Sequence, residues 1–456
     1  MKKISAIALC AALMLTMTAC GGTGDSNESS TGGSGSSGSQ STASDNSTST
    51  GGSSGDSTSD SQSASNESSG DTSSTPEIEE IPYTLGGELT PTMIANSRYN
   101  VGNRVRLANV IKKLQAGEDV TVAYLGGSIT QGSSAGDNLC YARLTTNWLE
   151  EKFPDAKITY VNAGIGATGS YIGVHRADSQ VLSQNPDLIF VDFSVNDTTE
   201  RTEINKETYA SLLRKLWNYS TNPAIVTIAM TQENGTSFIE YHGEVVKAFD
   251  IPMISYKDAI LDIIDKGYIK WTDISDDDIH PNVPGHALLT DLITNYLQSV
   301  IDDLDNISGA ESDLAAVTDI GNTYVNAKLL MSGDAEPPSL GVFQATRTGL
   351  GNLQNPWLIR SSDGQFDADS GIEFEFEGTN VGILYGKLTS NSCLADISID
   401  GEVVKTINPA FPGGWGNYVE FEQIATGLSE GTHTITITPK SQDGPAIFYL
   451  SAIAVS

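Results

Sequence analysis

The 456-residue chain has little positive charge and few cysteines or histidines. Its 25 Lys and Arg residues are outnumbered by 57 Asp and Glu, and the formal charge of −32 argues against nucleic acid as a partner. The same charge disfavours polyanionic substrates. The five histidines are scattered and no Cys-x-x-Cys pair occurs, so no zinc-type ligand cluster is evident. We expect neither a metal nor an organic cofactor.

The N-terminus combines a basic start at residues 1–3 with an apolar run at residues 4–15. The run is too short to cross a membrane and indicates an export signal. Small residues precede Cys20, as at a bacterial lipoprotein cleavage site. We therefore predict a lipoprotein signal peptide at 1–19 and a lipid on Cys20, which would anchor the protein at the extracytoplasmic face of the cell membrane. An ordinary secretory signal with a chance cysteine is the alternative.

Residues 20–78 are predicted to form a disordered linker. Positions 21–75 are almost wholly Gly, Ser, Thr, Asn and Asp, with no aromatic residue. Such a segment cannot bury enough apolar surface to offset the entropy lost on ordering. As a flexible tether it would hold the folded part at an r.m.s. distance of roughly 40 Å from the anchor.

Residues 79–306 alternate short apolar runs with amphipathic helical patterns. Continuous apolar strands that alternate with helices indicate a parallel sheet covered on both faces. The fold class predicted is therefore a three-layer α/β/α sandwich with a flavodoxin-like sheet. The strands expected are 120–125, 157–161, 187–193, 224–229 and 251–255, with helices near 107–114, 139–153, 173–184 and 284–303.

Residues 318–456 have the period-two alternation of half-buried strands and no helical stretch, as at 371–376 and 432–438. Asp400-Gly401 between two such runs predicts a hairpin turn. This part is expected to be a β-sandwich that resembles a jelly roll. Cys140 and Cys393 fall in different predicted domains, so the sequence permits a disulfide between them without implying one.

A serine and a later Asp–His pair point to hydrolytic chemistry. Ser128 follows the first buried strand, and Asp277 and His280 are three positions apart. At that spacing the carboxylate can hold Nδ1 of the imidazole while Nε2 accepts the serine proton. Asn196 follows the third strand and can donate to an oxyanion, together with backbone N–H groups of Ser128 and of the 166–167 turn.

Three further candidates, one sequence pattern and two single residues, fit a catalytic role less well. The Gly-x-Ser-x-Gly pattern at 132–136 resembles a nucleophile elbow but lies several residues beyond the strand end. Asp278 is expected to be structural. His286 is expected in the first turn of a helix, where a structural role is favoured over a catalytic one.

Taken in order, the segments 125–130, 162–166, 195–197 and 277–282 resemble the four motifs of the SGNH, or GDSL-type, hydrolases. The resemblance implies Ser128 as nucleophile, His280 as base and Asp277 as its orienting acid. It also implies an oxyanion hole of Ser128, Asn196 and a glycine of the second motif. Gly127 replaces the usual Asp, and the oxyanion position aligns with either Gly166 or Ala167; alanine would serve if its φ is negative.

The resemblance and the exported context suggest a carboxylic ester hydrolase that deacetylates O-acetylated poly- or oligosaccharide. The pairing of domains resembles carbohydrate esterases of family two, in which the β-sandwich precedes the catalytic domain. Alternatives are a lysophospholipase or short-chain lipase, or a glycan-binding surface lipoprotein with an inactive hydrolase domain. Four loop aromatics are candidates for stacking on sugars or for ordinary core positions: Trp357, Phe411, Trp415 and Tyr418.

Overall fold

The computed structural model describes residues 81–333, 335–350, 353 and 355–456. The predicted signal peptide, the lipidation site at Cys20 and the predicted linker lie outside these residues. None of the helices in this described part has the length and apolarity needed to cross a membrane.

A six-stranded sheet forms the centre of the first part of the chain. Its strands are β1 Arg98–Asn100, β2 Val120–Gly126, β3 Ile158–Gly164, β4 Leu188–Asp192, β5 Ala224–Ala229 and β6 Met253–Ser255. The spatial order is β1-β6-β5-β4-β2-β3, in which β2 to β6 are parallel and β1 pairs antiparallel with β6. Among the parallel strands this is the 2-1-3-4-5 order of flavodoxin-like sheets.

Helices cover both faces of this sheet. Alternate residues of each strand point to opposite faces and therefore pack in different cores. Val122 and Tyr124 of β2 pack in one apolar cluster, whereas Ala123 and Leu125 pack in the other. The helices are α1 Pro91–Ser97, α2 Val105–Gln115, α3 Ser128–Gln131, α4 Tyr141–Lys152, α5 Ser170–Gln180, α6 Thr202–Trp217, α7 Ile239–Phe249, α8 Tyr256–Asp265, α9 Trp271–Ile274 and α10 Val283–Asp302. Short 3₁₀ turns lie at Leu182–Gln184, Thr199–Arg201 and Leu314–Ala316.

Two antiparallel sheets form the second part of the chain. One has the order β10-β15-β12-β13; the other has the order β14-β11-β16-β9-β8, with β7 also on β16. The strands are β7 Lys328–Leu330, β8 Gln344–Ala345, β9 Trp357–Ser361, β10 Ile372–Glu377, β11 Val381–Lys387, β12 Ala395–Ile399, β13 Glu402–Ile407, β14 Tyr418–Ala425, β15 Thr432–Pro439 and β16 Ala446–Val455. Ile372, Phe374 and Phe376 alternate into the core between the sheets, as the sequence pattern predicts.

The fold class predicted from the sequence is confirmed, while several element ends are wrong. Ser128 opens a short helix instead of lying in a loop, and the strand predicted to end at 161 continues to Gly164, which pairs with Gly126. The helix predicted at 173–184 begins at Ser170 and ends at Gln180. These errors arise because tertiary pairing and packing set element ends more strongly than local propensity does. Cys140 and Cys393 are both free and buried.

The two parts of the chain share one hydrophobic core. The ring of Tyr171 in α5 stacks on Phe421 in β14, with centroids 4.1 Å apart. A Cβ on Gly382 of β11 would lie 2.3 Å from the Tyr171 hydroxyl, so this close approach requires glycine. At the edge of the same contact, Arg201 Nη1 donates to Glu420 Oε1 at 2.9 Å. The strand domain is therefore packed against the α/β domain as continuous interior.

The connection between the two parts is held along helix α6. The Arg214 guanidinium donates to backbone carbonyls of Leu314, Val317, Ile320 and Gly321. The Glu207 carboxylate accepts the N–H groups of Gly321, Asn322 and Thr323. These bonds tie the connecting segment to the α/β domain.

Candidate active site

Ser128 lies at the carboxyl edge of the parallel sheet, directly after β2. The chain turns there through two glycines that have no space for a side chain. A Cβ on Gly126 would lie 2.1 Å from Thr130 Oγ1, and one on Gly127 would lie 2.1 Å from Asn196 Oδ1. The glycine that replaces the usual aspartate of the first motif thus lets Asn196 pack against the nucleophile turn. Ser128 itself is 9% exposed.

Ser128, His280 and Asp277 form a continuous hydrogen-bonded series. Nε2 of His280 lies 2.9 Å from Ser128 Oγ, and its Nδ1 lies 2.8 Å from Asp277 Oδ2. The other carboxylate oxygen of Asp277 accepts the backbone N–H groups of Ile279 and His280 at 2.8 and 2.6 Å. This arrangement can accept the serine proton on Nε2 and stabilise the resulting imidazolium through Asp277.

The loop that carries Asp277 and His280 is fixed on both sides. Trp271 Nε1 donates to the Asp277 carbonyl at 2.6 Å. Ser275 Oγ lies 2.8 Å from that carbonyl and 2.6 Å from the His280 carbonyl. After the loop, Asn282 caps α10 by accepting the Gly285 N–H. The orientation of the imidazole is therefore set by the backbone around it.

Asp277 is held in its ionised form. Partial burial opposes ionisation, but the backbone and ring hydrogen bonds from His280 and the N–H of Ile279 outweigh it, so the pKa of Asp277 is lowered below its ordinary value. An ionised carboxylate at Nδ1 keeps the Nε2 lone pair directed at Ser128.

The two candidate backbone donors of the second motif, the N–H groups of Gly166 and Ala167, differ in their hydrogen bonding. The Gly166 N–H already donates to Gln131 Oε1 at 2.7 Å. The Ala167 N–H has no hydrogen-bond partner among the described residues, and Ala167 lines the cavity next to Ser128. The negative φ expected at Ala167 is wrong: its φ is 57°, in the left-handed region, and the backbone N–H is retained at either sign of φ. The turn places an alanine there at a cost of about 1 kcal/mol.

Asn196 contacts the nucleophile turn and lines the same cavity. Its neighbour Asp197 fixes the loop: Asp197 Oδ1 accepts the Ser170 N–H at 2.9 Å, and Oδ2 lies 2.9 Å from Nε2 of the buried His242. The His242 ring stacks on Tyr209, with centroids 3.6 Å apart. One buried carboxylate thus joins the third motif to the start of α5 and to α7.

A buried arginine braces the strand ends beneath the site. Arg176 in α5 has no measurable exposure and donates to Gly126 O at 2.9 Å and to Ala163 O at 2.5 Å. Within the described residues it has no carboxylate partner, and burial lowers its pKa to about 9. The sequence patterns considered above did not point to this residue, because a lone Arg within a helical segment looks like a surface position.

The cavity that contains Ser128 has a volume of about 680 Å³ and one wall made by the strand domain. That wall includes Leu350, Trp415, Asn417, Tyr418 and Val419. Trp415 is 72% exposed and stacks on Tyr418 with centroids 4.9 Å apart. Of the four aromatics considered from the sequence, Trp357 is buried in the β-sandwich core and is ruled out as a sugar platform.

The remaining sequence candidates occupy other positions. Ser134 of the Gly-x-Ser-x-Gly pattern is exposed with a φ of 66° and makes no contact with a histidine in the described part of the chain. His286 is buried, its Nδ1 accepts the Tyr141 N–H, and burial lowers its pKa to about 4, so it is neutral. Asp278 lines the cavity, and its carbonyl oxygen accepts the Glu233 N–H at 2.9 Å. Nowhere in the described residues are three His, Cys, Asp or Glu side chains grouped to hold a metal ion.

Comparison with known proteins places this geometry in a family. Residues 124–288 match the model of the GDSL-like lipase/acylhydrolase family. A crystal structure of a two-domain esterase (CEX) active on acetylated mannans is 30% identical, with a TM-score of 0.72 over 80% of this chain and 98% of that one. The same esterase co-crystallised with mannopentaose gives a TM-score of 0.71 at 30% identity, over 80% of this chain and 97% of that one.

A curated relative is similar over a shorter stretch of the chain. Thioesterase 1/protease 1/lysophospholipase L1 of Escherichia coli K12 is 22% identical over 198 residues, which cover 42% of this chain and 90% of that protein. The esterase similarity at 30% identity extends over both domains of the present structure. The chain therefore belongs to the GDSL-like lipase/acylhydrolase family, with the activity of an esterase or acylhydrolase.

Proposed function

We propose that the protein is a serine esterase that removes O-acetyl groups from carbohydrate. The observation that carries the proposal is the Ser128–His280 contact of 2.9 Å at the base of a cavity whose wall includes the exposed indole of Trp415. Aromatic faces bind the apolar faces of sugar rings, whereas the small acetyl group needs only the space next to Ser128. The two-domain neighbour active on acetylated mannans supports the same substrate class.

In the first half-reaction, Ser128 Oγ attacks the acetyl carbonyl carbon while its proton passes to His280 Nε2. The oxyanion would accept hydrogen bonds from the N–H groups of Ser128 and Ala167 and from the Asn196 amide. Collapse of this tetrahedral intermediate breaks the bond to the sugar oxygen. That oxygen takes the proton from His280 and leaves as a hydroxyl group.

In the second half-reaction, water attacks the acetyl-serine and gives its proton to His280. The second tetrahedral intermediate uses the same donors, releases acetate and restores Ser128 as the proton returns from His280 to Oγ. Asp277 stays ionised throughout and stabilises the imidazolium in each half.

The test is acetate release from acetylated manno-oligosaccharides and from p-nitrophenyl acetate by residues 76–456. We expect turnover of both substrates by the wild type, and a loss of at least about 10³-fold in Ser128→Ala with an unchanged far-UV spectrum. Retained activity in that variant would overturn the serine mechanism. A wild type that prefers long acyl chains in a series of p-nitrophenyl esters would instead favour a lipase.

The cellular location is part of the proposal. Lipid on Cys20 and an extended tether would place the enzyme outside the cytoplasmic membrane, where polysaccharide is accessible. Expression of the full chain and of Cys20→Ala in a bacterial host, followed by membrane fractionation and fatty-acid labelling, tests this. We expect label and membrane association in the wild type only. Equal membrane association of the two proteins would contradict the anchor.

A further inference from the structure

A second depression adjoins the catalytic cavity. It has a volume of about 330 Å³ and is lined by Gln232, Glu233, Asn234 and Asp278. Asp278 also lines the cavity that contains Ser128, so the two concave surfaces meet at this residue. The combined surface extends from Trp415, past the nucleophile, to the loop that follows β5.

The depression is built by a loop with defined internal bonds. The Gln232 N–H donates to Thr236 O at 2.9 Å, and the Gly235 N–H donates to Gln232 O at 2.9 Å. Gly235 has a φ of 81°, which suits glycine at this turn. The loop is also bonded to the catalytic loop, because the Glu233 N–H donates to Asp278 O at 2.9 Å. Its position relative to His280 is therefore fixed.

The side chains of this loop present unused hydrogen-bonding groups. Those of Gln232, Glu233 and Asp278 have no partner in the part of the chain that the structure describes. Asn234 uses its Oδ1 to accept the Thr236 N–H at 2.9 Å, which leaves its amide donors available. Amide donors with carboxylate and amide acceptors on a concave surface are suited to a ligand that is rich in hydroxyl groups.

The charge of the combined surface is of one sign. Among the described residues, no Lys or Arg lines either cavity, whereas Glu233 and Asp278 contribute carboxylates. Such a surface repels anionic groups through a Coulomb term that is strongest at low ionic strength. A neutral hydroxylated chain is therefore accepted here, and a chain with carboxylates beside the acetyl group is disfavoured.

We infer that Gln232, Asn234 and Asp278 form a subsite for the sugar residues next to the acetylated one, and that Glu233 and Asp278 select against uronic-acid-bearing chains. This inference rests on the proposed function. With Trp415 on one side of Ser128 and this subsite on another, the enzyme acts on acetyl groups at internal residues of a neutral glycan.

The first test is the chain-length dependence of deacetylation. The double variant Gln232→Ala/Asn234→Ala is compared with the wild type and with Gln184→Ala, an exposed glutamine in the 3₁₀ turn that precedes β4. For an acetylated manno-pentaose carrying one internal acetyl group we expect kcat/KM to fall about fivefold to twentyfold in the double variant, since two ligand hydrogen bonds are lost. For p-nitrophenyl acetate the change should be below about twofold, because this ester cannot reach the loop.

The second test addresses charge. Glu233→Gln should improve the kcat/KM ratio of an acetylated uronate-containing oligosaccharide to its neutral counterpart by about threefold to tenfold at low salt. The improvement should disappear near 1 M NaCl, where the Debye length is about 3 Å. A ratio that does not differ between variant and wild type at low salt overturns the selection against anionic chains.

Failure of the subsite is distinguishable from failure of the proposed function. If the wild type deacetylates glycans but the double variant loses equal activity on pentaose and on p-nitrophenyl acetate, or loses none on pentaose, the subsite is wrong. If the wild type hydrolyses p-nitrophenyl acetate and no acetylated glycan, the proposed function itself is wrong. Unfolding temperatures of each variant identify any loss that comes from misfolding.

Discussion

Arg176 donates a hydrogen bond from Nη2 to the carbonyl oxygen of Gly126, two residues before Ser128, over a distance of 2.9 Å. The same guanidinium donates to Ala163 O at the end of the neighbouring strand. Arg176 is a fully buried cation without a carboxylate partner in the described residues, and burying it costs free energy. Its hydrogen bonds to the two carbonyl oxygens offset part of that cost. Here they fix the spacing between Ser128 and the turn that contains Ala167.

We therefore predict that Arg176 is a positioning residue. Arg176→Met should lower the free energy of unfolding by about 1–3 kcal/mol, because buried carbonyl oxygens lose a donor. It should also reduce kcat on p-nitrophenyl acetate by about tenfold or more, with little change in KM. Arg176→Lys keeps the charge but cannot hold both carbonyls, so it should recover stability only in part. Urea unfolding and steady-state kinetics provide the measurements. A Met variant with unchanged kcat would show that the brace has no role in catalysis.

Ala167 offers a test of the strained turn. Because its φ is 57°, Ala167→Gly should raise the free energy of unfolding by about 1 kcal/mol while keeping the N–H donor and the activity. Ala316→Gly is a suitable control, since Ala316 is exposed with a negative φ and glycine there should destabilise by about 0.5–1 kcal/mol. Changes of the same sign in both variants would contradict the strain argument.

Asp192 is a buried acid whose charge should make stability depend on pH. Burial is the main cause that raises its pKa to about 7 from an ordinary value of 3.8; Ser194 hydrogen bonds oppose this and Asp197 adds to it. The folded state thus binds the proton more tightly than the unfolded state, so this residue's contribution to stability declines as pH rises from about 4 to about 7.

Asp192→Asn should remove that decline, because an amide oxygen can accept the same bonds from Ser194. The stability gain of the variant over the wild type should grow by on the order of 2–3 kcal/mol between pH 5 and pH 8. Urea unfolding of both proteins at the two pH values measures it. A gain that stays the same between pH 5 and pH 8 would mean that Asp192 is already ionised in the folded protein at pH 5.

Trp415 belongs to the cavity wall that the strand domain contributes, and we predict that it binds the sugar chain. Trp415→Ala should raise KM for acetylated manno-oligosaccharides by about threefold to tenfold, because the stacking surface of an indole is worth roughly 1 kcal/mol. The KM for p-nitrophenyl acetate should move much less. Val403→Ala, which shortens another exposed apolar side chain on the strand domain, is the matched control. Equal effects of the two substitutions on the oligosaccharide would remove Trp415 from substrate binding.

The elements that the sequence predicted best are those set by local pattern. Apolar strands such as Ala224–Ala229 are continuous because both faces are covered, and their short length and β-branched residues identify them. Asp277 and His280 are three residues apart in one loop, and this spacing is already local. Ser128 could be placed because a strand must end where its buried apolar run ends.

The features that were missed depend on contacts between distant segments. Gln131 accepts the Gly166 N–H across 35 positions of the chain, and nothing near residue 166 indicates it. The sequence also could not tell that Trp357 is buried and Trp415 is exposed. Both residues lie in Gly- and Pro-rich sequence, so only packing shows which one is buried. The positive φ of Ala167 is set by the turn around it, since alanine itself favours negative values.

The stacked pair of Tyr171 and Phe421 has a consequence for how the chain can be divided. Modular carbohydrate-active proteins are often handled by cutting at a linker and transplanting the appended domain to another enzyme. Here such a cut would leave two open apolar faces, one around Tyr171 and the other around Phe421 and Leu384. The strand domain is in this respect a part of the enzyme and not a portable accessory, so the two halves should melt together as one cooperative unit.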